Sequence, residues 1–107
     1  MMQKARPAEK ITKRDEIIAV LRKFKEMNSK HYNIIKIGVF GSAARDDMRE
    51  ESDIDAVVEL AEPDLFKLIG IKQDLEEQFH RPVDIVRYRH NMNRLLKGRI
   101  DKEAVYV

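Results

Sequence analysis

The chain has 107 residues, 43% of them apolar and 37% charged, with no cysteine and a formal net charge of +2. That length fits one domain with a modest core. The lack of cysteine excludes disulfides and thiolate metal sites, and no apolar run approaches the roughly 20 residues that cross a bilayer.

Residues 1–11 are polar and basic, and Pro7 discourages helix there, so a flexible N-terminal segment is expected, with 12–107 as the folded domain. No apolar leader is read near the start, and a cytoplasmic location is expected. Thr12 is the expected N-cap of a first helix, with Asp15 three residues on as in a capping box. Ile17, Ile18, Leu21, Phe24 and Met27 recur at helical spacing, which predicts a helix from about Lys13 to Lys30. His31-Tyr32-Asn33 then links to a strand, Ile35 to Phe40. His31, His80 and His90 lack ligand-like spacing, so a zinc site is not expected.

The stretch from Gly41 to Asp55, GSAARDDMREESDID, organises the rest. Gly41 has no Cβ, so backbone there can approach a ligand closely and take unusual dihedrals. Ser42 adds a hydroxyl, or caps a short helical segment through Arg45. Arg45 can serve a phosphate, pair with neighbouring acids or stay solvated. Asp46 to Glu51 should be an exposed charged loop, and Ser52 should order the turn before the next strand. Asp53 and Asp55 stand at i and i+2, a spacing that projects both from one face of a strand, with Cα atoms about 6.5–7 Å apart. Two such carboxylates can hold one hard cation or bracket two.

The second strand runs to about Leu60. Ile54, Ala56, Val58 and Leu60 should meet helices, while the face of Asp53, Asp55, Val57 and Glu59 should line an open cleft. Pro63 suits a first helical turn. Leu65, Leu68, Ile69, Leu75 and Phe79 predict an apolar stripe on a helix ending near Phe79. A third strand spans about Val83 to Arg87, with Val83 and Ile85 on one face and Asp84 on the other. Asp84 could instead pair with Arg81 or Arg87. A short helix from about Met92 to Arg99 should turn Leu95 and Leu96 inward. The tail from Ala104 to Val107 is expected to pack on the sheet. The alternation of helices and strands predicts an α/β fold with a small mixed β-sheet.

Charge is uneven along the chain. Residues 1–36 carry ten Lys/Arg against four Asp/Glu, residues 37–79 four against twelve, and residues 80–107 seven against three. Basic ends around an acidic middle could attract a nucleotide, RNA or an acidic partner, or be solvated helix faces.

Gly-Ser-x-x-Arg, a short charged loop and Ser-Asp-x-Asp together resemble the polymerase-β-like nucleotidyltransferases. More narrowly, the chain resembles the minimal nucleotidyltransferases (MNT), antitoxin halves of HEPN/MNT toxin–antitoxin pairs. The closing IDKEAVYV is similar to that family's ending. Many members have glycine directly after the motif arginine, where this chain has Asp46-Asp47. The resemblance implies a polymerase-β-like fold and a third carboxylate on a later strand, here Asp84. It implies catalytic and metal-binding roles for Asp53, Asp55 and Asp84, and phosphate contacts at Gly41, Ser42 and Arg45. The cofactor would be Mg²⁺, as two ions, and ATP the substrate. AMP would pass to a tyrosine hydroxyl of a HEPN ribonuclease toxin and silence it. The alternative is an antitoxin that neutralises its HEPN partner by binding and occlusion, without catalysis. No membrane partner and no direct nucleic-acid binding are expected.

Overall fold

The computed structural model describes residues 11–107. Eight elements follow in order: α1 (Arg14–Tyr32), β1 (Ile34–Phe40), α2 (Ser42–Arg45), β2 (Ile54–Leu60), α3 (Leu65–Phe79), β3 (Val83–Arg87), α4 (Arg94–Glu103) and β4 (Val105–Tyr106). The sheet order is β3-β2-β1-β4. β1 runs antiparallel to both β2 and β4, whereas β2 and β3 are parallel. This is the α/β fold with a small mixed sheet that the helix–strand alternation predicts. Of the flexible segment expected over residues 1–11, residues 1–10 lie outside the described residues. Ile11 is already tied in, donating its N–H to the Phe79 carbonyl at 3.1 Å.

Side-chain alternation along β2 explains the layering. Ile54, Ala56, Val58 and Leu60 face a core shared with Ile17, Leu21 and Phe24 of α1 and Ile71, Leu75 and Phe79 of α3. The opposite face differs from the open cleft expected of it. Val57 is fully buried there with Phe40 and Ile100, because α4 lies across that side. On this face Asp53 is exposed, and Asp55 and Glu59 are half-buried on either side of Val57.

Several local expectations need correction. Thr12 does not cap α1: the N-cap is Lys13, without a side-chain cap. The Arg14 N–H instead donates to Asp46 Oδ1 at 2.9 Å, so a carboxylate from a distant loop satisfies a free amide and meets the positive helix end. Asp46 is therefore more than a solvated loop residue. It also ends α2 in the left-handed region, at φ 60°. α1 runs through Tyr32 rather than ending at Lys30, and the Tyr32 hydroxyl donates to Asp74 Oδ2 at 2.6 Å. Burial and Asp74 push the Tyr32 pKa up to about 12. α4 starts and ends later than expected, so Leu95 is 83% exposed rather than inward. Leu65 and Ile69 likewise stand off the buried stripe of α3. The C-terminal tail does join the sheet, as β4. Gly38 makes room for it: a Cβ there would collide with the Val105 carbonyl.

Arg81 is the one buried charged residue among those described, and it does not pair with Asp84. Its guanidinium reaches back to the loop before β2. Nη1 donates to the carbonyls of Arg49 (3.3 Å) and Ser52 (3.1 Å), and Nη2 to the carbonyl of Glu50 (3.1 Å) and to Thr12 Oγ1 (3.4 Å). Carbonyl dipoles thus stand in for a counter-ion, and the charged donor strengthens each bond. This clamp fixes the chain as it enters Asp53 and Asp55. Arg81→Ala should cost roughly 2 kcal/mol, because the loop carbonyls lose a charged donor. Urea unfolding checks this; an unchanged midpoint would show that water replaces the guanidinium without cost.

Candidate active site

The site forms where β1 ends and β2 and β3 begin. Phe40 opposes Asp55 across the antiparallel pair, and Asp55 opposes Asp84 across the parallel pair. Residues in register share a sheet face, so the two carboxylates project side by side. Hydrophobic pairing on either side fixes this register, since a slip of one residue would turn the buried set outward. Asp53 lies one residue before β2, in the turn that Ser52 closes. There Ser52 Oγ accepts the Arg49 N–H at 3.0 Å, the ordering role expected of it.

Gly41 sits next to this pair at φ 68°, ψ −144°, backbone that side chains rarely adopt. A Cβ at Gly41 would lie 2.6 Å from Asp55 Oδ2. The Asp55 carboxylate therefore packs against bare backbone, and both the dihedral and the contact require glycine. Ser42 follows, half-buried, as the first residue of α2. Arg45 is half-exposed and bracketed by acids: Nε lies 3.2 Å from Asp47 Oδ2, and Nη1 lies 3.1 Å from Glu103 Oε1.

Electrostatics single out Asp55. Burial, more than anything else, raises its pKa above the ordinary carboxylate value. The neighbouring charge of Asp84 raises it further, and Asp53 adds to this; Arg99 and Arg45 pull the other way. Asp53, Asp55 and Asp84 make no hydrogen bond or ion pair with other described side chains. Two of them, Asp53 and Asp84, are exposed.

The donor set is all oxygen, which suits a hard cation and offers nothing to a soft one. Among the described residues, no three His, Cys, Asp or Glu side chains stand close enough to form a finished metal cage. Mg²⁺ does not need one, because it keeps waters and accepts substrate phosphates alongside one or two carboxylates. Mutual repulsion at Asp55 also marks a place that a cation would relieve. The residues present therefore fit Mg²⁺ shared with a phosphate substrate better than a structural ion.

Two further residues stand near the site, both on α4, and of these only Glu103 has no signal in the sequence, where the Lys and Arg of this helix are already candidates to reach a nucleotide or stay solvated. Arg99 has its guanidinium carbon 5.6 Å from the Phe40 ring centre, and its charge acts on Asp55. Glu103 Oε1 accepts the Gly41 N–H at 3.1 Å as well as bonding Arg45. They stand at i and i+4, so one helix face presents both. Ending the helix at Arg99 hid that spacing; extending it one turn would have shown it.

Comparison with known proteins agrees with this geometry. The profile of the family "Polymerase beta, Nucleotidyltransferase" matches residues 22–107. A candidate protein adenylyltransferase of Methanocaldococcus jannaschii is 33% identical over 93 residues, covering 86% of this chain and 95% of that protein. The protein adenylyltransferase MntA of Thermococcus cleftensis is 36% identical over 98 residues, covering 87% and 94%. Among solved structures, a candidate minimal nucleotidyltransferase superposes with a TM-score of 0.67 at 31% identity, over 86% of this chain and 89% of that one. A chain from the Shewanella oneidensis complex of a tri-AMPylated HEPN toxin with its MNT antitoxin shares the fold. Its TM-score is 0.55 at 22% identity, over 87% and 66%. A sheet that sets aspartates of adjacent strands beside a glycine–serine turn, in a chain with these relatives, belongs to the polymerase-β nucleotidyltransferase family: the protein is a nucleotidyltransferase of the minimal, protein-adenylyltransferase type.

Proposed function

We propose that this nucleotidyltransferase is an antitoxin that moves AMP from ATP to a tyrosine hydroxyl of a HEPN ribonuclease toxin in the cytoplasm, and so silences it. The carrying observation is the register that sets Asp84 beside Asp55, next to the Gly41 turn. The names of the relatives support the reaction class, and the HEPN–MNT complex supports the kind of partner.

Asp53, Asp55 and Asp84 are the residues to hold Mg²⁺, as two ions. Bound there, the metal supplies charge neutralisation for the triphosphate and the departing pyrophosphate. Gly41 lets backbone approach the phosphates, Ser42 offers its hydroxyl to them, and Arg45 adds positive charge beside the turn. The acceptor oxygen forms its bond to the α-phosphorus as the bond from that phosphorus to the bridging oxygen breaks. Pyrophosphate leaves, and Asp84 takes the hydroxyl proton.

The direct test is incubation with ATP, Mg²⁺ and a HEPN protein encoded beside this chain, read by mass spectrometry. The expected result is a gain of AMP on a tyrosine of the partner, lost in Asp53→Asn with Asp55→Asn. Toxin silencing that survives that double substitution would point to occlusion instead. Asp84→Ala should reduce transfer by about 10²-fold or more with a smaller loss of ATP binding; equal turnover would remove Asp84 from the mechanism.

Gly41→Ala should weaken ATP binding and cost about 1–3 kcal/mol of stability, since the left-handed dihedral and the Asp55 contact both penalise a Cβ. Calorimetry with ATP and thermal melts read the two effects separately.

Asp55 also couples function to stability. Its pKa is raised in the folded chain, so the folded state binds that proton more tightly than the unfolded one. The stabilisation from that proton is present below the unfolded pKa and is lost as pH rises through the folded value. Asp55→Asn should therefore raise Tm by roughly 2–4 °C at neutral pH in EDTA, and the gain should vanish at a pH below both values. A lower Tm at neutral pH would contradict it.

A further inference from the structure

We infer that Glu103 is a positioning residue for nucleotide binding, acting with Arg45 as one unit that sets the Gly41 turn. The inference rests on reading Gly41 and Ser42 as the seat of the triphosphate.

A single carboxylate oxygen carries the argument. Glu103 Oε1 lies 3.1 Å from the Gly41 nitrogen and 3.1 Å from Arg45 Nη1. These partners sit at opposite ends of the turn and α2, some 60 residues away in the chain. No side chain of the turn itself caps α2 at Gly41. The Gly41 N–H would otherwise have to be satisfied by water, at a position whose φ of 68° already demands support.

An exposed ion pair contributes little to stability, and Arg45 is half-exposed. The Glu103 side chain is only 25% exposed, and the backbone bond gives it a second, directional task. Charge-assisted bonds to a backbone N–H are among the stronger ones available. Glu103 is also well anchored. Ile100, one turn earlier on α4, is fully buried against Phe40 and Val57. The position of α4 is thus set by packing, and Glu103 passes it to the turn.

Arg45 takes a different role in this arrangement. Its guanidinium already has Asp47 on one side and Glu103 on the other. It works through the turn that Glu103 holds, and the phosphates meet a cradle whose shape the pair determines. Nucleotide affinity then depends on Glu103 although its carboxylate repels phosphate. That sign separates a positioning residue from a simple competing anion, whose removal would tighten binding.

The test compares Glu103→Gln, Glu103→Ala, Arg45→Gln and the Arg45→Gln/Glu103→Gln double variant. The readouts are ATP binding by calorimetry with Mg²⁺, Tm, and transfer rate at saturating ATP. Glu103→Gln keeps an oxygen for Gly41 but loses the ion pair, so Kd for ATP should rise roughly 3- to 10-fold; Glu103→Ala loses both bonds and should rise further. Transfer at saturating ATP should change by less than about 3-fold in the two Glu103 variants. The double variant should bind ATP no worse than Arg45→Gln alone, because the two side chains act together. Tighter binding in Glu103→Gln, additive losses in the double variant, or a fall in Tm with Kd unchanged would each overturn the inference. Absence of ATP binding by the unsubstituted protein would instead overturn the reading of the turn on which it rests.

Discussion

The parallel pairing of β2 with β3 is the constraint from which the site follows. It opposes Asp55 to Asp84, two like charges that would separate if nothing held them. What holds them is apolar. Ile54, Ala56 and Val58 on one side of β2, with Val57 on the other, are all fully buried. Burying an aliphatic side chain contributes on the order of 1.5–3 kcal/mol, and several such side chains outweigh the repulsion of one partly solvated pair. Hydrophobic register thus supplies the free energy that keeps a carboxylate cluster in place. This matches the general pattern in which strain gathers at a functional site and is offset elsewhere.

A second layer comes from loops and ends that reach across the fold. Arg81, just before β3, clamps the loop that delivers Asp53. Asp46, in the same region, caps α1. Arg99 and Glu103 on α4 bring one cation to Asp55 and one anion to the glycine turn. Each of these charges is used locally, against a dipole or a partner, rather than as part of a general field. The net charge of the chain, +2, says nothing about them.

The elements themselves were legible because their periodicities are strong. Alternation in β2 and the 3.6-residue spacing in α1 and α3 both survive in the structure. The acidic face of Asp84 could be read from Val83 and Ile85, which occupy the other. What the sequence could not supply was pairing at long range. Nothing local to Thr12 reveals that a carboxylate 34 positions later serves the helix next to it, or that its own hydroxyl meets Arg81. The last turn of α4 is hard to read because Ile100 is followed by three charged residues, Asp101, Lys102 and Glu103, that carry no apolar signal, and Glu103 is hidden with it. Leu95 misled in the opposite way: an apolar residue at a helix start need not face inward.

β3 forms one border of the sheet, with β2 on its inner side and no strand of the described chain beyond it. Asp84, exposed on that border, is not walled in by further secondary structure of the sheet. Enzymes that enclose their second substrate restrict it by volume. A carboxylate on an outermost strand is limited only by angle of approach, so a group carried on a body larger than this chain can reach it from the flank.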